Sequence, residues 1–134
     1  MKAPAGKYFD ILKGATGACG STNTFYSESF PIPDGNPACV IDIKFDSPGN
    51  VKCKVEMEQS HILPDTEGTS DDNFSVPLTE AGASKVISSE ITVETLLSIA
   101  YAPVGKSFGR IKITGVTGND AGTVVEVLRF NHMR

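Results

Sequence analysis

The 134-residue chain has no tryptophan, and aromatic residues make up 7% of it. Sugar-binding sandwiches usually work through aromatic platforms, and Tyr8, Tyr26 and Tyr101 are the only tyrosines, which weighs against a lectin reading. The three cysteines include no Cys-x-x-Cys pair and there are only two histidines, which speaks against a zinc site. Gly-x-Ser-x-Gly is missing, and neither His61 nor His132 has a nucleophile beside it in a recognisable motif. The stretch Gly14-Ala15-Thr16-Gly17-Ala18-Cys19-Gly20 has the glycines of a phosphate loop. It lacks the Gly-Lys-Ser/Thr that grips the phosphates, so it reads as a flexible linker. No run approaches the ~18 apolar residues of a membrane span. Residues 1–10 carry no secretory apolar core, so export through a standard signal is not expected. These gaps lead us to expect no enzyme activity, no cofactor, no metal and no membrane partner.

Charge is uneven. The formal net charge is −4, but residues 56–94 hold nine acids and one base, Lys85, leaving an opposite excess of basic residues elsewhere. A solvated acidic loop is the plain explanation, and a charge-complementary docking surface is the sharper one. The acidic balance argues against nucleic acid, which needs a basic footprint. Asp65, Glu67, Asp71 and Asp72 offer oxygens to Ca²⁺, yet their spacing matches no calcium loop, and they read as solvated.

What is present is alternation. In Val51-Lys52-Cys53-Lys54-Val55-Glu56-Met57-Glu58-Gln59 the apolar and charged residues fall on opposite sides with a period of two, the mark of a strand with one dry face. Residues 39–45 do the same, with Cys39, Ile41, Ile43 and Phe45 inward. Ser47-Pro48-Gly49-Asn50 reads as the turn of a hairpin joining the two strands. Further strands are expected at residues 24–30, with Tyr26 and Phe30 on one face, at Phe74-Ser75-Val76-Pro77-Leu78, and at residues 87–93. Residues 96–102 read as extended. The last two strands are 108–114, with Arg110, Lys112 and Thr114 outward, and 123–130. About seven or eight short strands separated by turns point to an all-β, antiparallel β-sandwich or jelly roll. Residues 60–73 form a long polar loop of the kind that is often functional or mobile.

Residues 1–23 are expected to be a flexible arm and 24–134 the sandwich domain. In the arm, Tyr8, Phe9, Ile11 and Leu12 make an apolar patch set apart by the Gly-rich linker; it either binds a partner or folds back on its own sandwich. If residues 47–50 turn a hairpin, Cys39 and Cys53 stand four residues apart along the ladder, roughly 13 Å at ~3.3 Å per residue. A disulfide needs Cα atoms within about 7 Å, so both are expected free and buried. Cys19 is expected in the exposed linker, where an intermolecular bridge remains an alternative. The cysteine usage fits a reducing cytosol.

The C-terminal third has a further cadence: Ser98-Ile99-Ala100-Tyr101-Ala102-Pro103, then Phe108-Gly109-Arg110-Ile111-Lys112-Ile113-Thr114-Gly115, then Gly118-Asn119-Asp120-Ala121-Gly122 and Thr123-Val124-Val125-Glu126-Val127-Leu128. With Cys39-Val40-Ile41-Asp42-Ile43 and the strand at 51–56, it resembles the small β-sandwich virion proteins of tailed bacteriophages over about residues 25 to 130. Gly109 departs from that pattern, which usually has an aliphatic or aromatic residue there. The resemblance implies a non-enzymatic structural protein of the virion, assembled in the bacterial host cytoplasm. Its role would be capsid decoration: binding the major capsid protein and itself as a homo-oligomer, commonly a trimer on a symmetry axis. The alternative is a receptor- or glycan-binding module at a tail or fibre, using residues 60–73.

Overall fold

The computed structural model describes residues 7–12, 17–32 and 38–132; the side chains of residues 7–9 and 132 lie outside this description. So do residues 13–16, within the expected linker region, and residues 33–37.

The period-two segments form the long strands. In β5 (Cys39–Asp46), Cys39, Ile41, Ile43 and Phe45 are buried, and in β6 (Cys53–Ser60), Cys53, Val55 and Met57 are buried. β9 (Phe108–Gly115) turns Ile111 and Ile113 inward. β10 (Val124–His132) points Val125 inward and then, after a register shift between Val125 and Val127, Leu128 and Phe130. The extra residue of a bulge explains the change of parity in the apolar pattern. Each such isoleucine, leucine or phenylalanine contributes roughly 1.5–3 kcal/mol by leaving water. Shorter strands complete the set: β1 (Lys7–Asp10), β2 (Gly17–Ala18), β3 (Thr24–Tyr26), β4 (Phe30–Pro31), β7 (Val86–Ile91) and β8 (Leu97–Tyr101).

They build two five-stranded antiparallel sheets packed face to face. The first runs β1-β10-β5-β8, with β2 also on β10; the second runs β3-β9-β6-β7, with β4 also on β9. A simple rule generates both. Each strand pairs with its mirror image about the middle of the chain: Lys7 with His132, Thr24 with Thr114, Cys39 with Tyr101, Cys53 with Ile91. The chain is one long ribbon folded in half at residues 61–85 and wound into two layers, which is a jelly roll. β1 with β2 and β3 with β4 are broken halves of single jelly-roll strands.

This winding corrects the expected hairpin. β5 and β6 lie in different sheets, so residues 47–50 arch across the core instead of turning between paired strands. The arch is held by the loop after β9: Asp120 N–H donates to the Asn50 carbonyl at 2.8 Å and Asn119 Oδ1 accepts from Lys52 N–H at 3.0 Å. Cys39 and Cys53 are free and buried, as expected, but they belong to opposite layers. Two smaller expectations also fail. Residues 24–30 break into β3 and β4, sending Phe30 into the core, where it stacks on Phe130 at 4.0 Å, while Tyr26 faces outward. Residues 74–78 form no strand and make only the bridges Gln59 to Ser75 and Leu78 to Ser84.

The described part of the expected arm, residues 7–12 and 17–23, is woven into the sandwich. β1 and β2 both pair with β10, and Ile11 and Leu12 are 3% and 8% exposed members of the core. Gly115 makes this possible, because a Cβ there would sit 1.9 Å from the Ser21 carbonyl oxygen. Gly109, the departure from the virion-protein pattern, has a similar reason: a Cβ would come within 2.9 Å of the Phe30 ring.

Cys19 is likewise buried rather than exposed, which removes the basis for an intermolecular bridge through it. Its thiol donates to the Thr123 carbonyl at 3.7 Å, and the neighbouring Cys53 thiol, together with burial, pushes the Cys19 thiol up while Cys19 holds the Cys53 thiol down. Burial pushes the Cys39 thiol up to about 11. Because all three thiols are buried, the native protein should show no reaction with an aromatic disulfide reagent at neutral pH, and all 3 should react once it is unfolded. A thiol that reacts at once in the native state would contradict this packing.

Candidate functional site

The outer face of the second sheet carries complementary charge. β6 and β9 set Glu58 opposite Arg110 and Glu56 opposite Lys112 in register, pairs that stabilise a sheet. Alternation alone makes this a wet face, yet Arg110 is 1% exposed, Glu56 6% and Glu58 8%. The cover is the segment after β6, which turns back over the sheet instead of extending into solvent.

Arg110 is the peg that holds it. Its guanidinium lies between two rings, 4.3 Å from the centre of Tyr26 and 4.6 Å from that of Phe74. In its plane it donates to Glu58 from Nε at 2.9 Å and from Nη2 at 2.8 Å, and from Nη1 to the Thr69 carbonyl. A planar, weakly hydrated cation suits such a slot: its faces meet ring quadrupoles and its edge spends its donors on oxygen. Burying one ion of this pair without the other costs several kcal/mol, and the paired arrangement avoids that.

The covering segment is tied along its length. The Asp71 carboxylate accepts the N–H groups of Asn73 at 2.9 Å and Asp65 at 3.2 Å. These bonds, Asn73's above all, and the Arg110 charge hold the Asp71 carboxyl below its ordinary range. Glu67 clamps the far side by accepting from Ser29 N–H at 2.6 Å and Ser29 Oγ at 3.0 Å. Gln59 and Ser75 exchange two backbone bonds at 2.8 and 3.2 Å. Two of the four acids considered for Ca²⁺, Glu67 and Asp71, thus serve loop architecture; among the described residues no three metal-ligating side chains gather.

Where this cover meets the start of the chain a hollow of about 280 Å³ opens, lined by Ile11, Leu12, Phe25, Tyr26, Glu28 and Glu67. Two of the four residues expected to bind a partner, Ile11 and Leu12, are therefore brought to one floor, beside the acidic loop. Tyr8 and Phe9 sit in β1 opposite Asn131 and Phe130, with side chains outside the description. A polar hollow of about 330 Å³ lies elsewhere, with Lys52 and Glu90 facing each other at 4.0 Å. His61 is exposed.

Sequence reasoning missed a third feature. Ile62, Leu63, Leu78, Val93 and Leu96 are the large apolar side chains left 45 to 63% exposed among the described residues. All five belong to the two connections that flank β7, residues 61–85 and 92–96. The clue was present for Ile62 and Leu63, apolar residues inside the stretch read as polar loop, whereas Leu78, Val93 and Leu96 were read as parts of strands or extended segments. No family model matches this chain, and a search of curated proteins finds no match.

Replacing Arg110 by alanine should cost about 3–5 kcal/mol, since it strands the Glu58 carboxylate and removes the stack. Urea denaturation would show this as a lower midpoint, and limited proteolysis as new cleavage within residues 61–73. Acid should loosen the same segment. Asp71 titrates below its unfolded value, so its contribution is present above that value and is lost as pH falls through the depressed one. Pepsin cleavage in residues 61–73 should rise across that acidic window in the wild type and much less in Asp71→Asn.

Proposed function

We propose that this chain is a non-enzymatic structural protein of a bacteriophage particle that decorates and stabilises the capsid shell. The observation that carries the reading is the set of exposed apolar side chains confined to the two connections around β7. Large apolar side chains left in solvent mark contact surfaces when they form a patch, and here they are confined to the two connections at the ends of β7. The strand cadence of residues 98–128 supplies the phage context, and the jelly roll, an architecture found in viral coat domains, is compatible with it. Fold alone does not select a function, so the weight rests on the surface.

In this reading Ile62, Leu63 and Leu78 lie against the shell, and the Arg110 stack keeps the segment bearing them in shape before docking. Preorganisation of this kind lowers the entropic cost of binding. Repeated weak sites on a shell then gain by avidity. The receptor- or glycan-binding alternative would use the loop at residues 60–73, most of which is exposed.

The test is the number of copies on purified particles, with their position by electron microscopy. Hundreds of copies across the shell are expected; a dozen or fewer at one vertex, or none, would overturn the proposal. Deleting residues 1–20 is uninformative because Ile11 and Leu12 belong to the core. Leu63→Glu combined with Leu78→Glu should leave thermal stability nearly unchanged and strip the protein from shells.

A further inference from the structure

Every open sheet has edges, and natural proteins blunt them with bulges, charges, prolines or brevity. Three of the four edges here are blunted. β7 pairs with β6 through register shifts on either side of Val55. The β3 and β4 edge is broken into pieces of three and two residues. β1 has four residues, with Lys7 and Asp10 at its ends.

β8 is the exception. Among the described residues no strand lies on its far side, and its pairing with β5 runs unshifted from Cys39–Tyr101 to Ile43–Leu97. The stretch Leu96-Leu97-Ser98-Ile99-Ala100-Tyr101-Ala102 has no charge, proline or glycine. Ser98 and Ala100 are exposed and small, and Leu96 beside them is 49% exposed.

We propose that β8 pairs antiparallel with β8 of a second copy of this chain, about a two-fold axis at Ile99, merging two sheets into one. Charge complementarity singles out this occupant. Lys85 donates from Nζ to the Ala102 carbonyl and lies 4.8 Å from the centre of the Tyr101 ring, so one end of the edge is cationic. Glu94 precedes the other end, where its carboxylate accepts from Ser47 N–H at 2.9 Å. Antiparallel pairing sets the Lys85 end of each copy beside the Glu94 end of the other, twice. A parallel arrangement sets like against like, which is penalised. An uncharged edge is also self-complementary under a two-fold axis, so the contact closes at two copies instead of growing into a fibre. The inference rests on this edge alone and is independent of the capsid reading.

The experiment is sedimentation equilibrium on the full chain, with circular dichroism to verify folding. The wild type should weigh twice the 14.2 kDa of one chain. With the axis at Ile99, Ser98 of one copy faces Ala100 of the other. S98R/A100R places arginine against arginine and should shift the mass to 14.2 kDa. S98R/A100E, which places arginine against glutamate, should restore the dimer. Both positions are exposed, so both variants should fold. A wild type that sediments as a monomer or a trimer overturns the proposal, and so do two variants with the same mass.

Discussion

The whole architecture hangs on the pairing of the two chain halves. β10 is the partner of β1, β2 and β5, and β9 is the partner of β3, β4 and β6. These two late strands stand inside both sheets and present the largest dry faces to each other's layer. Once they are central, the strands of the first half must line up beside them in reverse order. The arches between layers, including the one at residues 47–50, are consequences of that ordering.

The bend of the ribbon carries five acids and one base, and Arg110 explains how part of that charge is accommodated. One guanidinium, placed on the sheet by β9, meets Glu58 directly, biases Asp71 and offers its faces to Tyr26 and Phe74. Glu67 and Glu56 find Ser29 and Lys54. What looks in the sequence like a solvated polar stretch is a lid with its own bonding plan. Its ties run along its exposed polar groups, Phe74 is the apolar residue it turns inward, and Ile62, Leu63 and Leu78 stay outside.

Much of the fold was legible because alternation reports which side of a strand is dry. Residues 39–45 alternate as their pattern says, and residues 53–59 and 108–114 do so on their dry side. Alternation does not report which strand lies alongside. Ser47-Pro48-Gly49-Asn50 reverses the chain equally well as a hairpin or as an arch, and only the competition of β9 and β10 for β6 and β5 decides. The same limit hid the burial of Arg110. An outward arginine reads as wet until a segment forty residues away in sequence lies down on it, and local patterns carry no signal of that return. Ile11 and Leu12 were recognisable as needing cover, while Gly115, which lets that first segment approach, gave no sign of its purpose.

A chain folded in half is awkward to make from one end. None of the first five strands has a ladder partner within the first 60 residues, because their partners begin at β8. A ribosome adds about 5–20 residues per second, so the leading half waits for seconds with its apolar faces unmated. Pairings this distant in sequence also close slowly. During synthesis, then, the early segments stay without their ladder partners until the trailing ones emerge to claim them.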